Sequence, residues 1–433
     1  MPASLRRNAL WQFVQTAGST GGELLVVLAL GAYLAPAQFG ELLVALSGCK
    51  VAFMLLETRI HEFLVPKLAR YAARHPAAAW AWTRLCVRIE FASNAAALTL
   101  CVALTGGAQL LNVGWTTELV LASAIYTGAN TLLKFSSLGT LRSIGRIDSA
   151  ALHAVVGAVV KLAVLAVLAH AGARAGVIVA MLAVPSLAVS LSQAAAARRL
   201  LRRHLGRVSQ RTPQPLRHAN RTAQRRLMFA NYATGFAEIG HRELDMQILA
   251  ATAGSKAAGS YRLAKMLAML MLELLAPLVL VLLPEFVRRL ADRAGGALRA
   301  FVARTTRLLA VLGGVAAVLV FASALAYLGW LAPEHWNAWP AVAVLVSGFA
   351  LMAPTLWAQT FLVACGKPQV YLRSSLLGAA LAVAAAWLLS PRFGAVGAAV
   401  AHIAGLLVAN GAAVLKARQV LRGLPEPRTG FTP

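Results

Sequence analysis

Apolar blocks about twenty residues long recur along nearly the whole chain, and they limit its possible folds more than any other feature. One of them, 150–169, holds a single Lys and a single His. An α-helix crosses the hydrocarbon layer of a bilayer in about 20 residues, so blocks of this length read as membrane spans. Only 13% of the 433 residues are charged. Soluble proteins average about 25%, and charge this scarce does not cover a soluble surface of this size. Twelve spans are expected, at 10–34, 41–63, 85–106, 117–139, 150–170, 175–195, 227–252, 258–283, 307–331, 339–364, 370–390 and 394–416. The expected fold is all-α and integral to the membrane.

The formal net charge is +26. On a soluble chain that excess points to nucleic acid. Here the basic residues sit in short gaps between apolar blocks, where they act as topology signals, and nucleic acid is set aside as a partner. With the N-terminus inside, 30 of the 41 Lys and Arg fall on the inner side, counting span-edge residues such as Arg307 and Arg373. Only Arg174, Lys256 and Arg392 fall on the outer side. This bias predicts a bacterial inner-membrane protein with both termini in the cytoplasm. The segment 197–226 carries Arg residues and no acid, and it divides the chain into a six-helix bundle at 1–196 and a second at 227–420, followed by a cytoplasmic tail at 421–433. Its ordinary role is a solvated linker beside anionic membrane lipids. Arg6, Arg7 and the Ala35-Pro36-Ala37 segment loosely imitate a signal peptide, but the intervening stretch is too long and contains Glu23, so it reads as the first helix. Outer loops are about a dozen residues at most, too small for a catalytic domain. Walker A, HExxH, GxSxG and DxD motifs are absent from the sequence, so no enzyme activity and no catalytic residue is expected. Cys49, Cys86, Cys101 and Cys365 lie in apolar blocks without metal-ligand or disulfide spacing, which predicts no metal site.

The two halves repeat. Residues 30–40, LGAYLAPAQFG, align with 249–259, LAATAGSKAAG, at an offset of 219, and Pro66 with Arg70 aligns with Pro284 and Arg288 at 218. Gly145, Gly157 and Gly176 align with Gly366, Gly378 and Gly397 at 221, with Arg146 against Lys367. Six spans per half is an even number, so both halves start inside and form a parallel, pseudo-symmetric pair. That is a transporter architecture, with a substrate site expected near mid-membrane.

Ionisable groups inside a bilayer cost about 2.5–3.5 kcal/mol each on insertion scales, so they face protein or water. The seventh span carries Glu238, His241, Arg242 and Asp245 at i, i+3, i+4 and i+7, a spacing that puts all four on one helical face and permits Glu238–Arg242 and His241–Asp245 pairs. This face is read either as a self-neutralised structural network or as a substrate- and ion-binding surface. Glu23 in the first span is repeat-equivalent to Arg242, with opposite charge. Lys50, Glu57 and His61 share a face of the second span beside Arg59; Asn130 and Lys134 lie in the fourth, Lys161 in the fifth, and Arg262 and Lys265 open the eighth. Candidate substrate contacts are therefore Arg242, Lys50, Arg59, Lys134, Arg262 and Lys265. Candidate ion-coupling residues are Glu23, Glu238, His241 and Asp245. A surplus of Arg and Lys suits a phosphate or diphosphate, and it is wrong for a lipophilic cation.

The segments 31–41 (GAYLAPAQFGE), 244–249 (LDMQIL), 258–264 (AGSYRLA) and 392–397 (RFGAVG) resemble the polysaccharide-exporter, O-antigen flippase type, branch of the multidrug/oligosaccharidyl-lipid/polysaccharide exporter superfamily. The resemblance covers nearly the whole chain. It implies two six-helix bundles in a V and alternating access. It implies flipping of an undecaprenyl-diphosphate-linked oligosaccharide toward the periplasm, driven by a proton or sodium gradient and needing no cofactor. Partners would be the lipid-linked oligosaccharide, membrane lipids and other polysaccharide assembly proteins. A small-molecule exporter of the same superfamily is the alternative, followed by a membrane enzyme of glycan polymerisation.

Overall fold

In the computed structural model the described residues are 3–57, 64–65, 68, 76–110, 116–206, 239–291 and 295–423. They are helical almost throughout and include no strand. The chain separates into two compact units, Met1–Ile239 and Gly240–Pro433.

In the first unit, α1 (Ala3–Thr16) passes through a π-turn (Ala17–Gly21) into α2 (Gly22–Tyr33), which together make the first span. There follow α3 (Pro36–Leu56), α4 (Pro76–Leu110), α5 (Thr117–Thr131), α6 (Lys134–Ser143), α7 (Ile147–His170) and α8 (Ala175–Leu205). The second unit opens with another π-turn, Gly240–Leu244. It continues with α9 (Asp245–Ala291), α10 (Gly295–Ala326), α11 (Trp339–Met352), α12 (Trp357–Ala364) and α13 (Pro368–Arg422).

Eight stretches of the described residues are long and apolar enough to cross a membrane. The last of them holds two spans, because Gly394 (φ 53°) breaks α13. Gly254 (φ 85°) likewise divides α9 into two helices. Together with the α5–α6 pair these make twelve, so the protein is an all-helical, multi-pass membrane protein of the expected kind. Several boundaries differ from expectation. The second span starts at Pro36, where proline's fixed φ suits a first helical position. α4 and α8 run well beyond the apolar windows expected for them, to Pro76 and Leu205. Hydropathy stops at the membrane surface but the helices do not: the guanidinium groups of Arg198 and Arg202 on α8 lie 6.0 and 5.5 Å from the Trp80 ring on α4, joining the two extensions.

The lipid-facing sides invert the pattern of a soluble protein. On α7, Leu152, Val159 and Val167 are more than 60% exposed, while Gly157 and Lys161 are turned inward. The glycines of the first span allow the close packing there: a Cβ on Gly22 would stand 2.4 Å from Ala158 Cβ, and one on Gly18 would stand 2.9 Å from the Val155 nitrogen. Core packing between α3, α4 and α5 uses small residues, Ala45, Cys49, Ala52, Ala97, Cys101 and Ala124, around Phe53. In the second unit an edge-to-face chain of Phe286, Phe361 and Trp357 fills the space between α9 and α12.

The repeat has a structural counterpart in the turns. Gly145 (φ 72°) ends α6 and Gly366 (φ 70°) ends α12, each in the left-handed region. In both turns the N–H three residues past the helix reaches back to the carbonyl five positions earlier, Arg146 to Leu141 and Lys367 to Leu362. Arg146 then forms a forked pair with Asp148, both bonds 3.1 Å. The Ala35 kink between the first two spans likewise matches Gly254 at the offset of 219.

Candidate functional site

Among the described residues, two clusters of charge lie inside the spans, one in each unit. In the first unit Glu23 stands in the opening turn of α2, directly after the π-turn. A π-turn inserts one extra residue per turn and so re-aims the side chains beyond it; such turns recur at functional sites. The Asn130 side-chain N–H₂ donates to Glu23 at 2.6 Å, and the Lys134 ammonium lies 3.8 Å from the same oxygen. The Asn130 oxygen in turn accepts from Lys161 at 3.0 Å. Lys161 also rests over the Tyr126 ring, 5.4 Å from its centre. Lys50 on α3 is a third cation in the electrostatic neighbourhood of Glu23. Three lysines against one glutamate leave this region formally positive.

These groups, Lys50 apart, line a partly open cleft with an enclosed volume of about 60 Å³. Glu23, Asn130, Lys134 and Lys161 face it, with Ser19 and Gln193 adding neutral hydrogen-bonding groups. Glu23 and Lys134 are each 31% exposed, so a solute in the cavity reaches both. Arg142 is anchored nearby through a 3.2 Å bond to Gln15.

The second cluster is closed. Asp245 caps its own helix through the Met246 N–H at 2.8 Å. Its other oxygen accepts from Lys265 at 2.6 Å and from the Tyr261 hydroxyl, with His402 Nδ1 3.1 Å away. Asp245 and Lys265 are each 2% exposed or less. Beside them Glu243 takes Arg262 in a two-bonded fork at 3.0 and 3.2 Å. Each acid thus has its base, and the geometry is that of a neutral, buried network.

Of the sequence candidates, the structure brings Glu23, Lys50 and Lys134 together, and separately Asp245 with Lys265, and Arg262 with Glu243. Glu238 and Arg59 lie outside the described residues, as do the side chains of His241 and Arg242, so the pairs expected for them along the seventh span fall there too. The Gly240–Leu244 π-turn interrupts the regular helix on which that spacing was read, and Asp245 finds the partners described for it at Lys265, Tyr261 and His402. Tyr261, His402 and Glu243 carried no sequence signal of their own: Tyr261 and Glu243 take part in contacts made across the Gly254 break in α9, and His402 reaches Asp245 from α13. Lys161 was visible as an intramembrane cation, and its hydrogen bond to Asn130 was not.

No family model matches the sequence, and no curated relative matches it. Solved structures do. An inward-facing multidrug resistance MATE family transporter of the MOP superfamily overlays with a TM-score of 0.67 at 14% identity, covering 96% of this chain and 95% of that one. An outward-facing structure of such a transporter gives 0.65 at 15% identity over 97% and 96%. A mutant of the Vibrio cholerae MATE transporter VcmN gives 0.64 at 16% over the same shares. The fold is that of the MATE transporters. Identities this low establish the fold alone, and the O-antigen branch suggested by the motifs is not among these matches.

Proposed function

We propose that this protein is a membrane transporter that works by alternating access and exports a small molecule bearing an anionic group. The observation that carries this reading is the Glu23–Lys134 cavity, where partly exposed opposite charges stand 3.8 Å apart in a region with excess lysine. The fold supports it: structures sharing it are described in both inward- and outward-facing conformations, and they are described as multidrug transporters.

The geometry suggests the exchange. A carboxylate or phosphate on the solute competes with Glu23 for Lys134, drawn also by Lys161 and Lys50. Glu23, separated from its ammonium partner, takes up a proton or sodium ion in its place. An ion gradient does work only through such differential binding between states. Asp245, already paired with Lys265 in the closed second cluster, is given no ion in this scheme. The charge bias supports an inner-membrane location with termini and the 197–226 linker in the cytoplasm.

A second reading keeps the same site and changes the solute. Excess lysine also suits the diphosphate of a polyprenyl-linked oligosaccharide, as the sequence motifs suggest; the protein would then work beside other polysaccharide assembly proteins. Binding separates the readings. Purified protein would be titrated with carboxyfluorescein, with ethidium and with a short polyprenyl-diphosphate disaccharide, following thermal stabilisation. Stabilisation by the soluble anion that disappears in Lys134→Ala supports the main reading. Stabilisation by the lipid-linked glycan alone supports the second, and stabilisation by ethidium unaffected by Lys134→Ala overturns both.

A further inference from the structure

The fourth span is broken between α5 and α6, and Lys134 is the first residue after the break. The break has an unusual source. Leu133 adopts φ 54°, ψ 11°, the left-handed conformation that L side chains resist, and it is the one non-glycine residue with positive φ among those described. No proline or glycine stands at 132–135 to produce it. At the repeat offset of 221, Leu133 corresponds to Pro354, which sits in the short turn Ala353–Thr355 between α11 and α12. Both halves therefore break the same span at the same place. The second half does so with a residue that cannot continue a helix. The first half needs something else to hold the chain open.

That something is on α4. The Glu90 carboxylate is buried, 4% exposed, and accepts the Phe135 N–H at 2.7 Å on one oxygen and the Ser136 N–H at 2.9 Å on the other. These are free donors of the first turn of α6, which an uninterrupted helix would have bonded to its own carbonyls. One turn along α4, Asn94 accepts from the Thr131 hydroxyl at 2.8 Å, so α4 grips the chain on both sides of the break.

We propose that Glu90 is a positioning residue for the ligand cavity: by capping α6 it sustains the strained turn at Leu133 and so presents Lys134 to Glu23. The inference rests on the reading of that cavity as the ligand site. Glu90 touches no solute and acts through Lys134. Without its two acceptor oxygens the fourth span relaxes toward a continuous helix, and α6 turns Lys134 and Leu138 away from the cavity they now line.

The test needs no ligand, so it fails separately from the function proposed above. In a background with Cys49, Cys86, Cys101 and Cys365 replaced by alanine, Leu138→Cys reports the orientation of α6 through its rate of modification by a charged methanethiosulfonate. Glu90→Gln keeps the size of the side chain and replaces one acceptor oxygen by a donor. Modification is expected to slow about tenfold, equivalent to ~1.4 kcal/mol. Leu133→Gly, which adopts the left-handed turn without penalty, should restore the rate to within about twofold when added to Glu90→Gln. A merely structural acid would not be rescued by a glycine at a different residue. If Glu90→Gln yields no folded protein, recovery of monodisperse protein by Leu133→Gly is the same rescue. An unchanged rate in Glu90→Gln, or a loss that Leu133→Gly does not relieve in rate or yield, overturns the proposal.

Discussion

Replacing Asp245 by Asn keeps the shape of the second-unit network and removes its central charge. Three groups converge on that carboxylate: Lys265 at 2.6 Å, the Tyr261 hydroxyl and His402 Nδ1 at 3.1 Å. Lys265 is 2% exposed, so its ammonium has no recourse to water once the carboxylate is gone. Removing one partner of a buried pair costs about 3–5 kcal/mol, most of it the stranded charge. A unit of about 200 residues loses roughly 2–4 °C of melting temperature per kcal/mol, so the expected fall is ~10 °C. The assay is the thermal unfolding of purified protein in detergent for Asp245→Asn, Lys265→Met, and Asp245→Leu combined with Lys265→Met. Because the combined change removes both charges together, it should recover most of the loss seen in the worse single variant. A fall below about 2 °C in both single variants, or a double variant no better than the worse one, would refute the view that this network is a closed, mutually neutralising pair.

Two other outcomes are expected from packing and topology. Gly348 on α11 faces Ile403 so closely that a Cβ would stand 2.4 Å from Ile403 Cγ2; Gly348→Val should lower the melting temperature of the protein, whereas Gly314→Val, with open space around it, should change it little. A single cysteine in place of Trp336, which is 46% exposed beyond the apolar part of α10, should react with an impermeant thiol reagent from the periplasm, and one in place of His204 only after permeabilisation.

What the sequence made legible was set by the bilayer. A helix in lipid must satisfy its backbone internally and present apolar side chains outward, so length and hydropathy alone locate α3, α7 and α11. The repeat glycines were legible for the same kind of reason: Gly145 and Gly366 need a left-handed turn that few other residues adopt. Charge partners were not legible beyond one helix. Glu23 finds Lys134 and Asn130 across more than a hundred residues of chain, and Asp245 finds His402 on α13. The i, i+4 spacing in the seventh span assumed a regular α-helix, and the π-turn at Gly240–Leu244 alters that register. The break at Leu133 left no trace in the sequence because its cause, Glu90, lies on another helix.

Transport itself is the most direct test of the proposed exchange at Glu23 and Lys134. Protein reconstituted in liposomes would be loaded with carboxyfluorescein and subjected to an imposed proton or sodium gradient. Gradient-dependent movement of the anion is expected for the parent protein, with loss of at least about tenfold, ~1.4 kcal/mol, in Lys134→Ala. In Glu23→Gln, binding of the anion should persist while the response to the gradient disappears. Parent-like, gradient-driven movement in both variants would contradict the assignment of this cavity as the site of coupled transport.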